Sequence, residues 1–176
     1  MMRENNAGGY MRANQVSVLA MMLFAGTVCA HAKDERQIVG SWIVSNNEDR
    51  FGKGGTFVAA VLDQNGGTAL AVRCIEKDLS IAVIDSSQDP KPLKVGTAYV
   101  VKMRTDKEPI MTTAGKAIGD RLIQFDTQAD MVRTIRKGRE TAIRLENDNG
   151  VSRTLIFPTK GNMKALARVA DECNLD

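Results

Sequence analysis

The sequence predicts a mainly β, α+β domain: an antiparallel β-sandwich or partly open barrel with a short internal helix and a C-terminal helix docked on the sheet. Three observations carry this expectation. From Ile38 onward, apolar and polar residues alternate in short runs. Turn residues, above all Asn-Gly pairs, punctuate those runs. Only two stretches change to helical spacing.

The elements follow in order. Ile38 to Ser45 reads as one strand and carries the only tryptophan, Trp42, expected in the core beside Ile43 and Val44. Gly52, Gly54 and Gly55 form a turn before the strand Thr56–Leu62. Asp63-Gln64-Asn65-Gly66-Gly67 is a hairpin turn, because Asn-Gly accepts positive φ at low cost. The return strand Thr68–Cys74 puts Leu70, Val72 and Cys74 on one face and Arg73 on the other. Glu76-Lys77-Asp78 turns the chain into Leu79–Ile84, and the polar stretch Ser86 to Pro92 is a loop. Thr97–Arg104 alternates Tyr99, Val101 and Met103 against Lys102 and Arg104. Asp106 to Pro109 is another loop, and Arg121–Asp126 is a strand. Gln128–Lys137 breaks the period of two: Met131, Val132 and Ile135 share one helical face, and Gly138 stops the helix. Thr141–Glu146 and Ser152–Phe157 form a hairpin around Asn147-Asp148-Asn149-Gly150. Asn162 is expected to cap a helix running to about Cys173, with Met163, Leu166, Val169, Ala170 and Cys173 as its apolar stripe.

The chain has 176 residues, a length that suits one domain after a leader. Residues 1–32 read as that leader: Arg12 supplies charge, Val16 to Val28 is an uncharged apolar run, and Ala30-His31-Ala32 is an A-x-A cleavage pattern. The run is shorter than the ~20 residues of a membrane-spanning helix; an uncleaved anchor is the alternative. Translation starts at Met1 or Met11. Cleavage after Ala32 leaves Lys33 to Asp176, residues 33–176, as a single β-rich domain in the periplasm or outside the cell, with no transmembrane segment. Bulky Val28 before Cys29 argues against a lipoprotein signal.

Removing the leader removes His31, the only histidine. Without it no Ser-His or Cys-His dyad forms and no imidazole ligates zinc. S-x-x-K, G-x-S-x-G and C-x-x-C are absent, and Gly115-Lys116 lacks the upstream glycine of a phosphate loop. The expectation is therefore no enzyme, no cofactor and no metal; catalysis by two carboxylates is the chemistry left open. Cys74 and Cys173 are the two remaining cysteines, and in an oxidising compartment they are expected to pair, the alternative being two buried thiols. With 24 Lys+Arg against 21 Asp+Glu, the formal charge of +3 is too small for a nucleic-acid binder. Its one concentration of positive charge is Arg133, Arg136, Lys137, Arg139 and Arg144, set against Glu140. It reads either as a patch for an acidic envelope protein, cell-wall polymer or membrane surface, or as an ordinary solvated face.

The ending has a pattern of its own: Phe157, Gly161, Ala165-Leu166, Val169 and Cys173, with Gly40-Ser41-Trp42-Ile43-Val44 and Val72-Arg73-Cys74 upstream. It resembles the small secreted proteins of the invasion-associated locus B family and the periplasmic accessory proteins associated with type VI secretion. Where the locus B pattern often has a cysteine soon after the tryptophan, this chain has Ser45-Asn46-Asn47. The resemblance implies a non-catalytic accessory or binding protein of the bacterial envelope, linked to secretion or host interaction, and supplies no catalytic residues. The competing expectation is a cell-wall-active enzyme or an inhibitor of a cell-wall hydrolase.

Overall fold

A computed structural model describes residues 35–48, 55–88, 92–150 and 152–175. The leader with its cleavage pattern, Phe51, Gly52, Gly54 and Pro90 lie outside the described residues. The chain forms ten strands: β1 (Glu35–Val39), β2 (Trp42–Glu48), β3 (Gly55–Leu62), β4 (Thr68–Ile75), β5 (Asp78–Asp85), β6 (Ala98–Thr105), β7 (Met111–Ala117), β8 (Leu122–Phe125), β9 (Glu140–Glu146) and β10 (Ser152–Pro158). The helices are α1 (Ala129–Lys137), α2 (Asn162–Ala165) and α3 (Ala167–Glu172). All strands join one antiparallel sheet in the order β1-β2-β3-β4-β5-β8-β7-β6-β9-β10, whose ends do not pair to close a barrel. The sheet curls, however. After β3 the Gln64 N–H donates to the Ile156 carbonyl of β10 (2.9 Å), and Arg153 Nη2 donates to Thr68 Oγ1 (2.7 Å).

Pairing register separates two faces. Trp42, Val61, Leu70, Val83, Ile123 and Ala117 lie in one cross-strand row, each directly opposite the next, and all are buried. This inner face, with Val101, Met103, Ile143, Leu155 and Phe157 on the other strands, is the core. Three layers of it come from the helices: Met131, Val132 and Ile135 of α1, Ala165 and Leu166 at the end of α2, and Val169 and Ala170 of α3. Each fully buried large aliphatic side chain is worth about 1.5–3 kcal/mol relative to exposure. Trp42 is in this core, as its neighbours imply.

Four local expectations are corrected. Ile38 to Ser45 is not one strand but a hairpin, β1 turning into β2 at Gly40-Ser41. Gly40 holds φ +63°, and the Lys160 carbonyl oxygen lies 2.2 Å from where a Cβ would stand, so no other residue fits; the Ser41 N–H donates to that carbonyl (3.0 Å). β7 has no counterpart in the sequence reading. Its inward positions are Met111, Thr113, Gly115 and Ala117, too few apolar groups to show a period of two, and Gly115 is small because a Cβ there would stand 2.8 Å from Val101 Cγ2. The C-terminal helix breaks into α2 and α3 at Leu166, and Met163 is exposed instead of joining the stripe. Asn162 is not the cap: Gly161 occupies that position, and the Asn162 amide is buried, donating to the Ile135 (2.6 Å) and Gly138 carbonyls at the end of α1, which also accept from the Gly138 N–H and the Thr159 hydroxyl.

Candidate binding surface

The disulfide forms between Cys74, buried on the inner face of β4, and Cys173 at the end of α3, with their Cα atoms 6.0 Å apart. It ties the C-terminal helix across the sheet. Arg168 of α3 reinforces it, pairing with Glu48 and lying 5.2 Å from the ring centre of Phe57.

The basic segment is divided by the fold. α1 lays Met131, Val132 and Ile135 on the core and turns its cations outward. Arg133 is committed: Nε donates to the Leu175 carbonyl (2.8 Å) and Nη1 pairs with Asp130 (2.8 Å). Arg136 is half-buried and also engaged. Lys137 and Arg139 are exposed just beyond, so four of the five cations stand near the end of α1. Arg144 does not join them. It projects from the outer face of β9, bonded to Ser152 Oγ (3.1 Å) and paired with Glu146 (2.8 Å). There it stands directly across from Lys102 of β6, which shares Glu146 (2.9 Å). These contacts hold the Glu146 carboxyl below the usual range, the Lys102 hydrogen bond first and the charges of Lys102 and Arg144 after it.

Beside α1 a cleft of about 270 Å³ is lined by Asp106, Glu108, Asp130, Arg133 and Lys137 among others. Its carboxylates are largely occupied. Asp106 receives the backbone N–H groups of Arg139 (3.0 Å) and Glu140 (3.0 Å), and Asp130 holds Arg133. Among the described residues, no three His, Cys, Asp or Glu side chains converge to hold a metal, and no helix is long and apolar enough to cross a membrane.

The larger depression lies on the outer face of the sheet. Register places Ile38, Ile43, Ala60, Ala71, Ala82, Gln124, Lys116 and Ala98 in one continuous row. Over β6, β7 and β8 this face opens into a trough of about 650 Å³, with Ala98, Ala114 and Ile118 as apolar side-chain lining and Lys116, Gln124 and Asp126 as polar lining; Phe125 borders it but turns its ring to the core. Arg73, on the outer face of β4 as its strand position implies, donates to Ser80 Oγ (3.2 Å) and to Gln124 Oε1 (3.4 Å). Among the described residues it has no carboxylate partner, and burial pulls its guanidinium below its ordinary value. Nothing in the sequence singles out Gln124 or Lys116, because only register across β7, a strand without clear alternation, sets them side by side.

Neither a family model nor a curated protein sequence matches the chain. The crystal structure of invasion associated protein B from Bartonella henselae superposes with a TM-score of 0.53 at 12% identity, over 78% of this chain and 96% of that one. The two proteins share a fold. At that identity the likeness extends to architecture alone, and no residue of a site is carried across.

Proposed function

We propose that the protein is a non-catalytic accessory protein of the bacterial envelope, exported to the periplasm or beyond, which works by binding an acidic partner. The observation that carries this reading is the Cys74–Cys173 cross-link. Structural disulfides form and persist chiefly where the surroundings are oxidising, which agrees with the leader read in residues 1–32. The fold likeness to invasion associated protein B supports the same direction. With its cysteines joined, the described domain has neither a free thiol nor an imidazole to serve as nucleophile or base. Exposed cations at the end of α1, Lys137 and Arg139, offer the acidic partner a long-range attraction.

Attraction between exposed charges is screened beyond about 8 Å at physiological salt. Capture of the partner from envelope extracts should therefore fall as salt rises, and the Lys137→Glu/Arg139→Glu variant should capture less at every salt concentration. Arg133 is left in place because it secures Leu175. Capture indifferent to both changes would reject the acidic partner. The cleft at Asp106, Glu108 and Asp130 favours a second reading, a carboxylate enzyme acting on the cell wall. Turnover of a cell-wall substrate that disappears with Glu108→Gln would establish it in place of the first.

A further inference from the structure

We infer that the outer-face trough over β6, β7 and β8 is a binding site for an anionic amphiphile, with the acid group held by Lys116 and Gln124 and the apolar body lying along Ala98, Ala114 and Ile118. A guanidinium carries only hydrogen-bond donors. Arg73 therefore fixes the Gln124 amide with Oε1 toward itself, and the Gln124 NH₂ is left without an acceptor among the described residues. Lys116 stands directly across β7 and β8 from Gln124 and has no acceptor either among the described residues. Two unspent donor groups thus lie side by side in a depression whose one further polar side chain is Asp126. Its volume suits a small ligand, and a few placed polar groups in an apolar pocket are what fixes such a ligand's orientation.

Charge selects the sign of the head group. Lys116 and Arg73 are both positive, and Arg73 is half-buried without a counter-charge. Burying a cation is costly unless it is paired, so a bound anion nearby recovers part of that cost. Asp126 lines the same trough two residues from Gln124. It leaves the set one charge positive and disfavours an acid placed at its end. Beyond the trough, Ile118 and Val100 are about half exposed, extending the apolar surface over which a chain can lie. Arg73 acts as a positioning residue, through Gln124, while Lys116 and Gln124 touch the acid. The trough stands apart from Lys137 and Arg139, so failure of the salt-sensitive capture leaves it untouched.

The probes are dodecanoate, dodecyl phosphate and dodecanol, below their micelle concentrations, titrated into the folded protein by calorimetry with amide NMR shifts to locate binding. Both acids should bind, the alcohol should bind at least about tenfold more weakly, and shifts should centre on Ala98, Ala114, Lys116 and Gln124. The two acids distinguish a carboxylate source from a phosphate source. Lys116→Gln should weaken both acids several-fold. Gln124→Glu should weaken them further while leaving dodecanol unchanged. Ala98→Phe, which fills the exposed trough, should abolish binding of all three. Arg73→Gln should weaken the acids but not the alcohol, a difference that a merely structural role would not produce. Equal affinity for acid and alcohol, shifts elsewhere on the protein, or no binding of any probe would each overturn the assignment.

Discussion

Replacing both cysteines, Cys74→Ala/Cys173→Ala, should destabilise the domain far more than any surface substitution. The bridge joins residues 99 apart in sequence. In the chain-entropy model a closed loop of about 100 residues removes unfolded-state freedom worth about 4.7 kcal/mol, and native disulfides in small secreted domains typically contribute about 2–5 kcal/mol. Packing lost with the Cys74 sulfur adds a little, because Cys74 is fully buried on the inner face of β4. A loss near 3 kcal/mol corresponds to a fall in Tm of roughly 10 °C for a domain of this size. Urea unfolding of the oxidised protein and the double variant would measure it. The midpoint should fall, and the slope should rise, because the unfolded chain without the bridge exposes more surface. Local effects should point to the same end of the molecule. Amides of α3 should exchange first, since without the bridge only the packing of Val169 and Ala170, the exposed Arg168–Glu48 pair and the stack on Phe57 hold that short helix to the sheet. Equal midpoints for the bridged and unbridged proteins would leave the bridge without a structural role.

Asn162→Ala should cost about 1–2 kcal/mol in chemical denaturation, because it removes buried hydrogen bonds to the carbonyls of Ile135 and Gly138, which keep only the Gly138 N–H and the Thr159 hydroxyl as donors; a loss under about 0.5 kcal/mol would remove Asn162 as the link between α1 and α2. Trp42→Ala should cost about 3–5 kcal/mol as a cavity. Trp42→Phe should cost much less, since the indole N–H has no acceptor among the described residues, and near-equal losses would contradict this. Asp85, held below the usual carboxylate range first by the Ser87 hydroxyl, and Glu146, held low first by Lys102, both contribute stability above their unfolded pKa near about 4 that is lost as pH falls through their lower folded values. Urea midpoints should therefore decline below about pH 4, and Ser87→Ala should flatten part of that decline; a pH-independent midpoint would show these contacts to be irrelevant.

The elements that the sequence made legible were those whose signal is local. Asn65-Gly66 marks its hairpin through the positive φ that Gly66 adopts, with Asp63 accepting the Thr68 N–H beside it, and Tyr99, Val101 and Met103 alternate cleanly with Lys102 and Arg104. Met131, Val132 and Ile135 mark α1 within one residue of its ends. The pairing of Cys74 with Cys173 was legible because each sits at an inward position of its own element. What depended on distant neighbours was hidden. Gly40 turns the chain only because the Lys160 carbonyl occupies the space beside it. Asn162 looks like a helix cap in sequence, yet α1 draws its amide inward. The basic segment looks continuous along the chain, but strand alternation sends Arg144 to the outer face while α1 carries Arg133, Arg136 and Lys137 over the core. The trough was invisible for the same reason: Arg73, Lys116 and Gln124 come from three strands, β4, β7 and β8, and meet only through register.

Export and the disulfide are tested together by recovering the protein from fractionated cells, blocking free thiols at once, and mapping peptides without reduction. The predicted result is protein in the periplasmic or extracellular fraction, beginning at Lys33, with the peptides containing Cys74 and Cys173 linked. Protein in the cytosol that retains Met11 to Ala32 and carries two blocked thiols would contradict it.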